Sequence, residues 1–136
     1  MIVVDASAVT ELLLGRPAGE PVAAALQAHD FDLHAPQLVD VEVLSALRRV
    51  VAAGHATPGR AAEAVADLLD LPLRRYPHED LVPRIWALRE NFSAYDATYL
   101  ALAEVVAEEG APLVTADGRL ARAAAEHTAV EVILAT

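Results

Sequence analysis

The apolar residues of this chain fall into two alternating patterns: short continuous runs, and longer stretches that repeat with a helical period. Ile2 to Val4 is a β-branched run ending at Asp5, and Ala8 to Leu14 then reads as a helix stopped by Gly15 and Pro17. Pro21 opens a short helical segment through Ala28, with Val22 and Leu26 on one side, and Phe31 to Ala35 is the second predicted strand. Pro36 starts a long helix through Ala53, closed by Gly54, whose apolar stripe runs Val39, Val43, Ala46, Leu47, Val50. Thr57-Pro58 caps a helix through Leu69 with Ala61, Val65 and Leu68 in phase; Leu71 to Tyr76 is a weak third strand whose Arg74 and Arg75 suggest an edge. A helix beginning near Glu79 tolerates Pro83 in its first turn, turns Ile85 and Leu88 inward, and ends before Ser93. Ser93 caps the next, in which Ala97, Leu100 and Ala101 recur at helical spacing and which Gly110 and Pro112 close. Pro112 to Ala116 is a short buried strand, Asp117-Gly118 turns into a helix from near Arg119, and Ala129 to Leu134 is a fifth strand.

Strands alternating with helices imply an α/β fold: a five-stranded parallel sheet with right-handed crossovers and helices on both faces, three layers in all. If the chain winds outward one way from the first strand and then crosses back, the switch point lies between the first strand and the one before Asp117, and ligands bind at the carboxyl edge there. Asp5 and Asp117 end those two strands, while Asp96 sits in the first turn of a helix that starts at the same edge. Glu42 flanks the stripe of its helix, three residues after Val39 and four before Ala46, so its carboxylate points partly inward and requires compensation.

Composition narrows the chemistry. At 136 residues the chain fits one domain, residues 1–136. It has no cysteine, which removes disulfides and thiolate metal sites and agrees with a reducing compartment. The apolar start is cut by Asp5, carries no basic leader, and no run approaches the roughly 18 apolar residues of a membrane span, so a cytoplasmic protein is expected. All ten basic residues are arginine, which excludes phosphate-loop and Schiff-base lysines. A net charge of −10 argues against an extended basic nucleic-acid surface.

Gathering Asp5, Glu42, Asp96 and Asp117 at one edge would be repulsive unless they share protons or hold cations. Oxygen ligands without imidazole or thiolate companions suit hard Mg²⁺ or Mn²⁺. Such ions activate water and neutralise a leaving oxygen, which is the chemistry of phosphodiester hydrolysis, and they answer the net-charge objection locally.

Four segments carry a resemblance: VVDASAVTELLL at the start, VEVLSALRR around Glu42, SAYDATYLALAE around Asp96 and LVTADGRL around Asp117. In order and spacing they resemble PIN-domain ribonucleases, specifically VapC-type toxins of type II toxin–antitoxin pairs, over nearly the whole chain. The resemblance implies a PIN-like (Rossmann-like) fold, Mg²⁺- or Mn²⁺-dependent cleavage of RNA, and neutralisation by a small VapB-type antitoxin. It implies catalytic carboxylates at Asp5, Glu42, Asp96 and Asp117, with Asp5 and Asp96 the principal metal ligands and Asp117 a further one. Ser7 and Thr115 match supporting hydroxyls. Some members carry a further acid shortly after the fourth; here Gly118, Arg119 and Leu120 follow, which leaves a second metal position short of a ligand. Arg119 and Arg122 are candidates for RNA phosphate contact instead. Small apolar residues on the helices leave room for partner helices or self-association, and a homodimer is expected.

Each acid also has a structural reading when taken alone. Ser93-x-x-Asp96 resembles a capping box, Asp117-Gly118 is a turn signal, Asp5-Ala6-Ser7 is a strand-to-helix capping junction, and Glu42 could pair with Arg49. Only their joint placement favours chemistry. A haloacid-dehalogenase-type phosphatase would need an acid two residues after Asp5, where Ser7 stands. A non-catalytic PIN-like protein- or RNA-binding module would lack acids of the cluster. The five histidines show no ligand spacing, and Trp86 reads as core.

Overall fold

A computed structural model describes residues Met1–Thr136. Five parallel strands, β1 (Ile2–Val4), β2 (Leu33–Pro36), β3 (Leu73–Tyr76), β4 (Leu113–Thr115) and β5 (Val132–Leu134), form one sheet in the order β3-β2-β1-β4-β5. Seven helices connect them: α1 (Ala6–Leu14), α2 (Gly19–Ala28), α3 (Leu38–Ala52), α4 (Pro58–Asp70), α5 (Val82–Ala87), α6 (Ala94–Val105) and α7 (Gly118–His127), with a 3₁₀ turn at Glu79–Leu81. This is the expected α/β architecture. β1 pairs with β2 on one side and β4 on the other, so the switch point falls between Asp5 and Asp117.

Right-handed crossovers that advance from β1 to β3 place α1–α4 on one face, and the return through β4 to β5 places α5–α7 on the other. Accordingly α1 packs on α2, α3 and α4, whereas α5 packs on α6 and α7 on β5. β1 is buried over its whole length, as is β4, which is why both read as continuous apolar runs. α6 is buried from Ala97 to Ala103; the small side chains at Ala97, Ala101 and Ala103 let it lie close on the sheet. Gly19 makes a similar approach possible at the α1–α2 corner, where a Cβ would stand 2.7 Å from the Glu11 carbonyl oxygen.

Several boundaries differ from expectation. β2 begins at Leu33 rather than Phe31, because Asp30 and Phe31 both take left-handed backbone (φ 57° and 53°) in the turn before it. Pro36 ends β2 instead of opening α3, and the α3 amino end is held from afar: His78 Nε2 accepts the Leu38 N–H at 3.0 Å. α6 stops at Val105, short of Gly110, because the returning Ala111 N–H takes the Ala103 carbonyl at 2.8 Å. α4 buries Ala64 and Leu68, with Ala61 and Val65 only partly covered. β3 is the edge that Arg74 and Arg75 suggested, and Arg75 clamps it to α3 through a two-point pair with Asp40 (2.7 and 2.9 Å). Trp86 is not core: it is 67% exposed, with the Arg89 guanidinium 4.4 Å above its ring. No helix is long and apolar enough to cross a membrane.

Candidate active site

Asp5 follows β1 directly and caps α1. Its backbone is extended (φ −91°, ψ 171°) and its carboxylate accepts the Ala8 N–H at 2.9 Å, so the position is set by the strand-to-helix junction. Two hydroxyls complete its surroundings: Ser7 Oγ donates to Oδ1 at 2.7 Å and Thr115 Oγ1, at the end of β4, donates to Oδ2 at 2.5 Å. All these donors are neutral. Burial with no cationic partner raises the Asp5 carboxyl to about 6, against the lowering by Thr115, Ala8 and Ser7, and the Asp117 charge pushes the same way as burial.

Asp117 mirrors Asp5 across the switch point. It caps α7, its Oδ1 accepting the N–H groups of Arg119 (2.9 Å) and Leu120 (3.3 Å), while Oδ2 lies 3.8 Å from the Arg119 guanidinium. Asp96 stands in the first turn of α6, where its N–H donates to Ser93 Oγ at 3.2 Å; the cap is the serine hydroxyl, which frees the Asp96 carboxylate to face the pocket. Burial and the charge of Asp117 raise the Asp96 carboxyl, opposed by Arg119 and Ser93. Glu42 reaches inward from α3 and accepts a 2.6 Å hydrogen bond from the Tyr99 hydroxyl. It pairs with that phenol rather than with Arg49, whose guanidinium goes to Ser45 Oγ at 3.0 Å. Burial raises Glu42, Tyr99 and Arg49 lower it, and Asp96 raises it again. The same contact, with burial first, raises the Tyr99 phenol far above its ordinary value, so it stays a donor.

Asp5, Glu42, Asp96 and Asp117 therefore line one pocket of about 530 Å³, together with Ser7 and Arg119. Thr115 lies behind it as support to Asp5, and Arg122, although on α7, is not part of the lining. Sequence reasoning missed Tyr99, three residues after Asp96 on the same helix face, and missed Arg16 and Tyr95 on the walls; Arg49, weighed only as a partner for Glu42, is a wall residue too. Helical spacing from Asp96 was a signal for Tyr99, and Arg49 and Tyr95 lie within two of the four segments quoted for the resemblance; Arg16 lies in none.

Three acids held above their usual protonation range in one pocket describe a site whose negative charge lacks its counterpart. Oxygen-only donors suit a hard divalent ion. No three of the Asp, Glu and His side chains stand close enough to hold one ion among them. Mg²⁺, however, keeps several waters and is commonly bound by one or two carboxylates, which this spacing allows.

The PIN domain family model matches residues 2–126. The chain belongs to the PIN domain family. Among its relatives, Ribonuclease VapC12 of Mycobacterium tuberculosis is 39% identical over 133 residues, covering 98% of this chain and 99% of the relative. Ribonuclease VapC9 of the same organism is 42% identical over 120 residues, 88% of each chain, and Ribonuclease VapC1 is 41% identical over 122 residues, 89% of each. Among solved structures, PAE2754 from Pyrobaculum aerophilum superposes with a TM-score of 0.65 over 96% of this chain and 81% of that one, at 22% identity, a likeness of fold. In this chain the acids that end β1 and β4 and the acid that starts α6 meet in the pocket at the β1–β4 switch point.

Proposed function

We propose that this chain, as a single PIN domain over residues 1–136, is a metal-dependent endoribonuclease and the toxin component of a VapBC-type pair. The observation that carries the reading is the convergence of Asp5, Glu42, Asp96 and Asp117 on one pocket, with Asp5 buried among neutral donors. Relatives named as VapC ribonucleases at about 40% identity support the substrate class, RNA.

In this reading Asp5, Asp96 and Asp117 are the metal ligands, at most two of them meeting the ion directly and the remainder acting through its waters. Mg²⁺ or Mn²⁺, when bound, supplies a Lewis acid and a water of lowered pKa. Ser7, Ala8 and Thr115 fix both oxygens of Asp5, so the ligand is aligned before any cation arrives. Glu42, aimed by Tyr99 and raised above the ordinary carboxylate range, is suited to accept a proton at the pocket wall. Arg119, at the pocket rim, is the phosphate contact of choice; Arg122 is the weaker candidate because it lies outside the lining.

The partners proposed with this function are a cognate VapB-type antitoxin and a second copy of the chain in a homodimer. A basic side chain of the antitoxin inserted among the acids would compete with the metal. Co-expression with the neighbouring antitoxin should relieve growth inhibition, and toxicity that persists with it would remove the pairing.

The acids' spacing, too wide for three to share an ion, favours one competitor: a PIN-like module that binds protein or RNA without cutting. One experiment separates the two. Purified protein should cleave RNA with Mg²⁺ or Mn²⁺ and not with EDTA, and folded Asp5→Asn should be inactive. Binding without cleavage in Mn²⁺, or equal cleavage by both proteins, rejects the nuclease.

A further inference from the structure

The acid pocket continues sideways. A second depression of about 310 Å³ adjoins it and shares Glu42, Arg49 and Tyr95 with it, the rest of its wall being Leu38, Val41 and Ser45 of α3. On another side a depression of about 470 Å³ shares Arg16 and Val50 with the acid pocket and adds His55 and Arg60. The two depressions thus flank the acid pocket through these shared wall residues.

Two side chains on the first flank, Tyr95 and Arg49, make no hydrogen bond to the acids. Tyr95 leaves 60% of its surface exposed at the junction of the two depressions. Arg49 bonds to the Ser45 hydroxyl rather than to a carboxylate, whereas Arg75 and Arg84 are tied to Asp40 and Glu104. The charge of Arg49 lowers the Glu42 carboxyl across the same wall, but no ion pair ties the guanidinium down, and on a chain of net charge −10 it is placed to meet an anion. An aromatic face beside a guanidinium is the combination that holds single-stranded nucleic acid: any base stacks on the ring, and the cation meets the backbone. Bases inside a duplex are already stacked and offer no free face.

We propose that Tyr95 and Arg49 form a nucleotide subsite beside the acid pocket, where one unpaired base of the RNA stacks on Tyr95 and an adjacent phosphate meets Arg49. The proposal rests on the nuclease reading and names the side chains that would position the RNA beside the bond that is cut. Tyr95 immediately precedes Asp96, and successive helical side chains diverge by about 100°. One therefore faces the pocket while the other forms its rim, and a base held on the ring sets which phosphate lies over the carboxylates.

The test uses Asp5→Asn as a background that binds RNA without cutting it. Short fluorescein-labelled oligouridylate and oligoadenylate, and an RNA duplex of the same length, are titrated by anisotropy. Single strands should bind more tightly than the duplex, and Tyr95→Ala should weaken single-strand binding by about 5- to 100-fold. Tyr95→Phe keeps the face and should bind as the background does. Arg49→Gln should lower the slope of log K against log salt by about 0.7. Unchanged binding in Tyr95→Ala, an equal loss in Tyr95→Phe, or an unchanged salt slope in Arg49→Gln overturns the subsite. Cleavage separates the two readings. If wild type with Mn²⁺ cuts RNA and the Tyr95→Ala single variant cuts it equally well, the subsite falls and the nuclease stands. If wild type cuts no RNA, both fall.

Discussion

Thr115 Oγ1 donates to Asp5 Oδ2 at 2.5 Å, joining the carboxyl ends of β4 and β1 across the middle of the sheet. The same oxygen accepts the Asp117 N–H at 3.0 Å, so one buried hydroxyl positions the backbone of one acid and the side chain of another. Ser7 does the complementary work: it donates to Asp5 Oδ1 and accepts the Ala116 N–H at 2.9 Å. Thr115 comes to Asp5 because β1 and β4 end in register, Val4 beside Val114, and Ser7 comes to it from the first turn of α1.

Thr115→Val keeps the β-branched shape and removes the donor. Asp5 Oδ2 then lies buried without a hydrogen bond, which should destabilise the metal-free protein by about 1–3 kcal/mol. Loss of the orienting partner should weaken Mn²⁺ binding by about 10- to 100-fold, read by calorimetric titration. Thr115→Ser should recover most of both. Unaltered Mn²⁺ affinity in Thr115→Val would show that Asp5 is not a ligand.

Protonation gives a second expectation. Asp5 is raised from 3.8 to about 6 by burial, so the folded state holds its proton more tightly than the unfolded chain. Stability from this group is full below the unfolded value and is lost as pH rises through about 6, a span worth about 3 kcal/mol. Glu42 and Asp96 are raised too and act in the same direction. In EDTA the wild type should therefore melt higher near pH 5 than at about pH 7.5, Asp5→Asn should show a smaller difference, and Mn²⁺ at the higher pH should recover the loss in wild type alone. A melting temperature that climbs between those pH values equally in both proteins contradicts the unpartnered carboxylate.

The sequence was most legible where a side chain bonds to its own neighbourhood. Thr57 and Ser93 each cap the helix they were expected to cap, because that bond spans only three residues. The sheet order followed from the alternation of strands and helices, and with it the approach of Asp5 to Asp117. Distant partners left no local trace. His78 caps α3 across forty residues of chain, and Tyr99 reaches Glu42 across fifty-seven. Trp86 was misjudged because size and apolarity argue for burial, while α5 is too short and peripheral to cover it.

Tyr99→Phe probes the Glu42 contact. The phenol is buried and its hydrogen bond goes to a carboxyl group, so its loss should cost about 1.5–3 kcal/mol when that group is charged. Freed of its donor, Glu42 should titrate higher still, moving the acid limb of the pH–rate profile upward. A profile that stays in place while activity falls would make Tyr99 a packing residue only.

Asp96 offers the sharpest separation of a structural from a chemical role, since the α6 cap belongs to the Ser93 hydroxyl. Ser93→Ala removes that acceptor and should cost about 1 kcal/mol, with or without metal. Asp96→Asn keeps the backbone N–H that the cap uses and removes a charge that burial and Asp117 already disfavour. In EDTA it should match wild type in stability or exceed it. With Mn²⁺ the order should reverse: wild type gains by mass action, about 2.7 kcal/mol at a hundred times its dissociation constant, and Asp96→Asn gains much less. Thermal unfolding of the three proteins in EDTA and in Mn²⁺ reads both effects. If Asp96→Asn loses as much as Ser93→Ala in EDTA, and wild type ignores Mn²⁺, then the carboxylate serves the helix, and the proposed metal site loses one of its two principal ligands.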